Sequence, residues 1–203
     1  ANLAEMIGAL HMQIAKDGVE EVNLEFVGDL AEMETGPITV AFLKGLFTPI
    51  LKDAVNYVNA PVIAKERGIR VVESRSNQHE DFTNLLTVRV KTASGENVLS
   101  GTVFGKSEPR LVRFNTFRLE ALPSGPMLFV VNDDVPGVIG ALGTTLGSLE
   151  VNISRMTVGM EEEKGRNIIL LNTNSLLSKD QLRKVMDLPH INEAMALDLP
   201  SSK

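Results

Sequence analysis

The chain has 203 residues, 43% hydrophobic and 23% charged, with a net charge of −6 and a sequence pI near 5.2. That length suits one large globular domain or two ordinary ones, and the acidic balance argues against a nucleic-acid partner, which needs clustered, uncompensated lysine and arginine. Cysteine is absent, which removes disulfides, thiolate metal sites, iron–sulfur clusters on this chain and thiol nucleophiles.

The chain opens in NLAEMIGALHMQIA, where Leu3, Met6, Ile7, Leu10 and Ile14 share one helical face. An apolar stripe starting so early needs a surface to pack on, and the expectation is a fragment whose upstream domain has been removed. VEEVNLEFVGDL follows, with Val22, Leu24 and Phe26 alternating with polar residues, which predicts a half-buried strand over about 19–27. After Gly36-Pro37, the stretch 38–59 carries Phe42, Leu43, Leu46, Ile50, Leu51, Ala54, Val55 and Val58 at helical spacing. Pro49 should kink or split that helix, because proline removes a backbone donor and clashes with the preceding turn. APVIAKERG reads as a short helix starting at proline and stopping at Gly68.

The period then switches to two. IRVVESR, FTNLLTVRVKT, NVLSGTVFG and RLVRFNTFRLEA read as four strands, the middle pair joined as a hairpin around Gly95, giving a sheet with helices on one side. PSGP at 123–126 is the natural linker, so the expected domains are 1–122 and 127–203. The second divides into strand, helix, strand, strand, helix and strand. This βαββαβ order is that of a ferredoxin-like unit with both helices on one face of an antiparallel sheet, the other face left for a partner.

NDDVPGVIGALGTTLGSLEVNI, residues 132–153, has a glycine loop entering a helix, but no leading GxG and no lysine. Neither a dinucleotide fingerprint nor a phosphate-cradling loop is satisfied. Gly140, Gly143 and Gly147 are expected to be packing residues that let the helix approach a sheet or another helix. The turn before them is the candidate site: Asp134 as cap, Pro136 in the first turn, and Gly137 leaving the free N–H groups open to a carboxylate. His11, His79 and His190 are far apart and form no metal-binding spacing, so a solvated or capping role is expected for each and no metal site is expected. The acidic candidates Asp53, Glu66, Glu73 and Asp81 are scattered, and EEEK at 161–164 reads as a solvated hairpin.

The DxPG turn and the asparagine after the helix resemble an ACT domain, the amino-acid-sensing module of metabolic enzymes. LKGLFTPILKDAVNYVNAPVIAKERGI, residues 43–69, resembles the intervening, allosteric substrate-binding domain of long-form D-3-phosphoglycerate dehydrogenases, and Asn2 to Leu199 follows the C-terminal half of that family. The resemblance implies an α+β chain: a mixed α/β intervening domain with an antiparallel sheet, then a ferredoxin-like ACT domain. It implies a parent enzyme that uses NAD to oxidise 3-phosphoglycerate in serine biosynthesis, with catalysis and NAD binding on domains that this chain lacks; the fragment itself holds no cofactor, and the cytoplasm is the default expectation for a sequence without a membrane-span or leader pattern.

The resemblance further implies L-serine as effector between two ACT domains of a homo-oligomer, near Asn132, Asp134, Val135, Pro136, Gly137 and Asn152. A weaker implication is a phosphorylated small-molecule ligand at Lys106, Arg110, Arg113 and Arg118. Arg110 and Arg118 would face alike on one strand, and Glu120 stands where another base would be expected. Alternatives are the regulatory region of an iron–sulfur L-serine dehydratase and a non-catalytic oligomerisation module. No apolar run approaches the roughly 18 residues of a membrane span, and no basic-then-apolar leader opens the chain.

Overall fold

The computed structural model describes residues 1–76, 82–105, 107–161 and 165–201, and it divides into two compact units, 1–115 and 116–203. Each is mixed α/β with mostly antiparallel strands. The first unit contains α1 (Asn2–Ile14), β1 (Val19–Gly28), α2 (Asp29–Glu32), α3 (Gly36–Leu51), α4 (Ala60–Glu66), β2 (Arg70–Ser76), β3 (Asn84–Thr92), β4 (Gly95–Phe104) and β5 (Glu108–Phe114). Its strands lie in the order β5-β4-β3-β1-β2, with β1 and β2 parallel and the other neighbours antiparallel.

Strand alternation gives this sheet two chemically distinct faces. Val22, Leu24 and Phe26 of β1, each 0% exposed, sit in register with Val90, Val88 and Leu86 of β3. The opposite face is polar and tied across strands, with Arg89 on Glu25 at 2.8 Å, Arg70 on Glu21 at 2.7 Å and the Thr87 and Ser100 hydroxyls 2.8 Å apart. The hairpin around Gly95 forms as expected.

α1 packs on β3, β4 and β5 from one side and on α3 from the other. It is therefore buried all round from Leu3 to His11, rather than along one stripe. This double burial rests on two glycines that hydrophobic periodicity does not single out. A Cβ on Gly8 would stand 2.2 Å from the Phe42 carbonyl oxygen, and one on Gly45 would stand 2.1 Å from that of Glu5. Glu5, drawn into the crossing, is met by Lys44 at 2.7 Å and by the Tyr57 hydroxyl. The start of α3 is tied to β2, where Glu73 accepts from Thr35 at 2.7 Å and Thr39 at 2.5 Å.

Several expectations are corrected here. α3 continues only two residues beyond Pro49 and ends where Lys52 takes φ 50°. Val55 and Val58 are thus not on that helix, and Val58 is 86% exposed in a turn tied by Asn56 and Asn59. RLVRFNTFRLEA is two strands, because the chain turns at Asn115, φ 51°. His11 is neither solvated nor capping. It is 1% exposed, edge-on to Phe42, with neither ring nitrogen hydrogen-bonded within normal limits. Burial holds its pKa down to about 3, against a weaker opposing pull from the Val88 backbone.

The second unit contains β6 (Phe117–Ala121), β7 (Gly125–Asp133), α5 (Val138–Ser148), β8 (Ile153–Met160), β9 (Arg166–Thr173), α6 (Lys179–Met186) and β10 (Ile191–Leu199). Its strand order is β10-β7-β9-β8-β6. Leu128 and Val130 of β7 and Ile169 and Leu171 of β9 form one core with Leu142 and Leu146 of α5 and Val185 of α6, so both helices cover one face. α6 begins with a capping box between Ser178 and Gln181.

On the other face of this sheet Asn172 of β9 donates to the Leu122 and Ser124 carbonyls of the same unit. Of the EEEK run, residues 162–164 lie outside the described residues, as do His79 and Asp81, while Glu161 pairs with Arg166 at 3.2 Å. Among the described residues no helix is long and apolar enough to cross a membrane.

Gly8→Ala should cost at least about 3 kcal/mol, because a rigid backbone faces the new methyl and overpacking cannot be relieved by a rotamer change. Urea unfolding, with Gly140→Ala as a control whose added Cβ meets open space, checks this. His11 gives a second expected outcome. The unfolded imidazole takes a proton below its ordinary value of 6.5, whereas the folded one refuses it until about 3. Its stability contribution is present above pH 6.5 and is lost as pH falls. Between pH 7 and 5 the native chain should lose about 2 kcal/mol more than His11→Leu, measured by denaturant titration at each pH.

Candidate functional site

The candidate site forms where β7 runs out and the chain turns into α5. β7 ends at Asp133, and the Asp134 N–H donates to the Gly165 carbonyl at 2.9 Å while that of Val135 donates to Asp133 at 2.9 Å. Gly137 occupies the N-cap position with φ 95°, a conformation that costs a residue with a Cβ about 1 kcal/mol or more. Helical geometry starts only at Val138. Pro136 therefore lies in the turn and not in the first helical turn.

Asp134 does not cap α5 either, since no side-chain cap bond is made. Its Oδ1 instead accepts from the Asn167 amide at 2.8 Å. The first N–H groups of α5 are left with no helical partners, as in any helix, and no Cβ at Gly137 shields them. Asp134, Val135, Pro136 and Gly137 are all exposed. This one turn thus presents an anion-binding end and an aspartate carboxylate side by side.

Asn132 is 2% exposed, donates to the Asp133 carbonyl at 2.8 Å, and leaves its Oδ1 without a hydrogen-bond partner. Asp133 is engaged by Asn192 at 3.0 Å and by His190 at 3.1 Å. These two contacts, Asn192 first, hold its carboxyl below the usual range. Asn152 sits elsewhere, past the far end of α5, where its N–H donates to the Asn174 Oδ1 at 2.9 Å. The 11 helical residues between put it about 16 Å from the turn at about 1.5 Å per residue. One chain does not bring Asp134 and Asn152 together.

The packing role expected of Gly140, Gly143 and Gly147 is not seen within the chain. An added Cβ at any of them meets nothing within 4 Å, so they lie along an uncovered side of α5. Sequence reading also missed Asn167 and Asn192, which lie more than thirty residues from Asp134 and Asp133 and reach them only through strand pairing, while His190, expected to be solvated or capping, is exposed and bonds Asp133. The lone His190 is the one available signal.

The basic residues before PSGP fall on different elements. Lys106 lies outside the described residues. Arg110 is bound to Glu108 at 2.8 Å and stacks 5.8 Å from the Phe104 ring centroid, while Arg113 donates to the Asn115 carbonyl at 2.7 Å. Arg118 stands on β6 in the second unit. The break at Asn115 removes the single strand on which Arg110 and Arg118 were expected to face alike.

A family model described as D-3-phosphoglycerate dehydrogenase intervening domain matches residues 1–115. The chain belongs to the D-3-phosphoglycerate dehydrogenase intervening-domain family. Proteins named D-3-phosphoglycerate dehydrogenase match across both units. That of Methanocaldococcus jannaschii is 34% identical over 97% of this chain and 37% of its own length. Those of Synechocystis and Bacillus subtilis are 35% and 32% identical, covering 36% and 38% of theirs. The chain thus spans little more than a third of the relatives it matches. A homoserine dehydrogenase structure from Thiobacillus denitrificans overlays with a TM-score of 0.31 at 14% identity over 59% of this chain and 35% of that one, too slight to bear on the fold.

Proposed function

We propose that this chain is the regulatory portion of an NAD-dependent D-3-phosphoglycerate dehydrogenase, with residues 116–203 forming an ACT domain that senses L-serine. The order β10-β7-β9-β8, with α5 and α6 over one face, supports a ferredoxin-like unit. Oxidation of 3-phosphoglycerate, and NAD, belong in this reading to the rest of the relatives' length. The two units regulate that activity and take no part in the chemistry.

The observation that carries the reading is the turn 132–137. A small amino acid is a zwitterion and needs an anion acceptor and a cation acceptor a few ångströms apart. The free amides at the start of α5 suit the carboxylate, and exposed Asp134 suits the ammonium. Asn152 of the same chain is too far away to contribute, so a ligand that touches both ends needs two copies. A two-fold pairing that sets the start of one α5 beside the end of the other supplies this, and the uncovered glycine side of α5 leaves room for close approach.

Calorimetric titration with L-serine tests the proposal. Binding to the native chain is expected, with at least a tenfold loss in Asp134→Ala, since an ammonium–carboxylate contact is worth about 1.5–3 kcal/mol. No heat with the native chain, or unchanged affinity in Asp134→Ala, would contradict it.

A further inference from the structure

Asp134 is gripped from one side, by the start of β9. Its N–H bonds the Gly165 carbonyl at 2.9 Å and its Oδ1 takes the Asn167 amide at 2.8 Å. Asn167 is 8% exposed and stands in register with Asn132. The pair two residues along, Val130 and Ile169, belongs to the core beneath the helices. Strand alternation puts the two asparagines on that same face, one step nearer the start of α5. An apolar pair would continue the core at no desolvation cost, whereas two buried amides need partners. Asn167 directs its donor to an exposed carboxylate, so packing alone does not account for it.

We propose that Asn167 is a positioning residue for ligand recognition, holding the Asp134 carboxylate by Oδ1 so that Oδ2 stays open to the ammonium of a small α-amino acid. This rests on the serine reading above. An untethered aspartate on an exposed turn samples several χ1 wells, and ordering it when the ligand arrives would cost affinity. A neutral amide is the suitable tether. It orients the carboxylate without neutralising it, while a lysine or arginine in its place would compete with the ligand's ammonium. Of the neighbouring side chains, the Arg166 guanidinium is committed to Glu161 and the His190 ring to Asp133.

The test is an NMR titration of the 203-residue chain with L-serine and with 3-hydroxypropionate, its analogue without the ammonium. Native chain, Asn167→Ala, Asp134→Ala and the double variant are compared. Asn167→Ala should weaken L-serine about tenfold, leave 3-hydroxypropionate within about twofold, and have no further effect once Asp134 is alanine, because residues acting through one contact are not additive. Should Asn167→Ala not fold, Asn167→Ser, too short to reach Asp134, is expected to give the same pattern. Equal weakening of both ligands, or additive losses in the double variant, would overturn the positioning role while leaving serine binding intact. Absence of L-serine binding by the native chain would overturn the serine reading and this inference together.

Discussion

The backbone contact between α1 and α3 is the constraint on which the first unit depends. Because Gly8 and Gly45 have no side chains, the two helices meet main chain to main chain, and α1 fits between α3 and the sheet with nothing exposed from Leu3 to His11. The same close fit recurs below, where a Cβ on Gly101 would stand 2.9 Å from a Leu3 methyl. Polar groups carried into this layer need local partners. Glu5 finds Lys44 and Tyr57, while His11 finds none and is kept neutral by burial. The first unit is thus a tightly determined scaffold whose sheet has one apolar and one polar face.

Around α5 the second unit uses its glycines in the opposite way. Gly137 is required by conformation, and Gly140, Gly143 and Gly147 line an uncovered side of a helix. Its strand ends hold the chemically distinctive groups. β7 ends in Asn132 and Asp133, β9 begins with Arg166 and Asn167, and His190 just before β10 and Asn192 within its first residues join them. Tethering at this end determines where the Asp134 carboxylate stands relative to the free amides of α5. In the proposed reading, recognition of a zwitterion depends on that relation.

Much of this was legible in the sequence because period alone carries it. The alternation of Val22, Leu24 and Phe26, the hairpin at Gly95 and the βαββαβ order all appear in the structure. The reading failed where a single residue decides by geometry. Asn115 splits one apparent strand, Lys52 ends a helix that hydrophobic spacing would have extended to Asn59, and Gly137 delays α5 so that Asp134 cannot cap it. Gly8 and Gly45 were passed over because a missing side chain leaves no hydrophobic signal. Asn167 was invisible for another reason: its tie to Asp134 exists only after β7 and β9 have paired.

Family membership rests on residues 1–115 and on relatives matched over 97% of the chain. The central functional claim, an amino-acid effector shared between two copies at the start of α5, is tested most directly by a crystal structure of the chain grown with L-serine. The account predicts serine with its carboxylate on the first amides of α5 and its ammonium on Asp134 of one copy, and with Asn152 of a second copy closing the site. Serine bound within a single chain away from this turn, or in the groove of the first unit lined by Thr39, Lys65, Arg70 and Glu73, would contradict it.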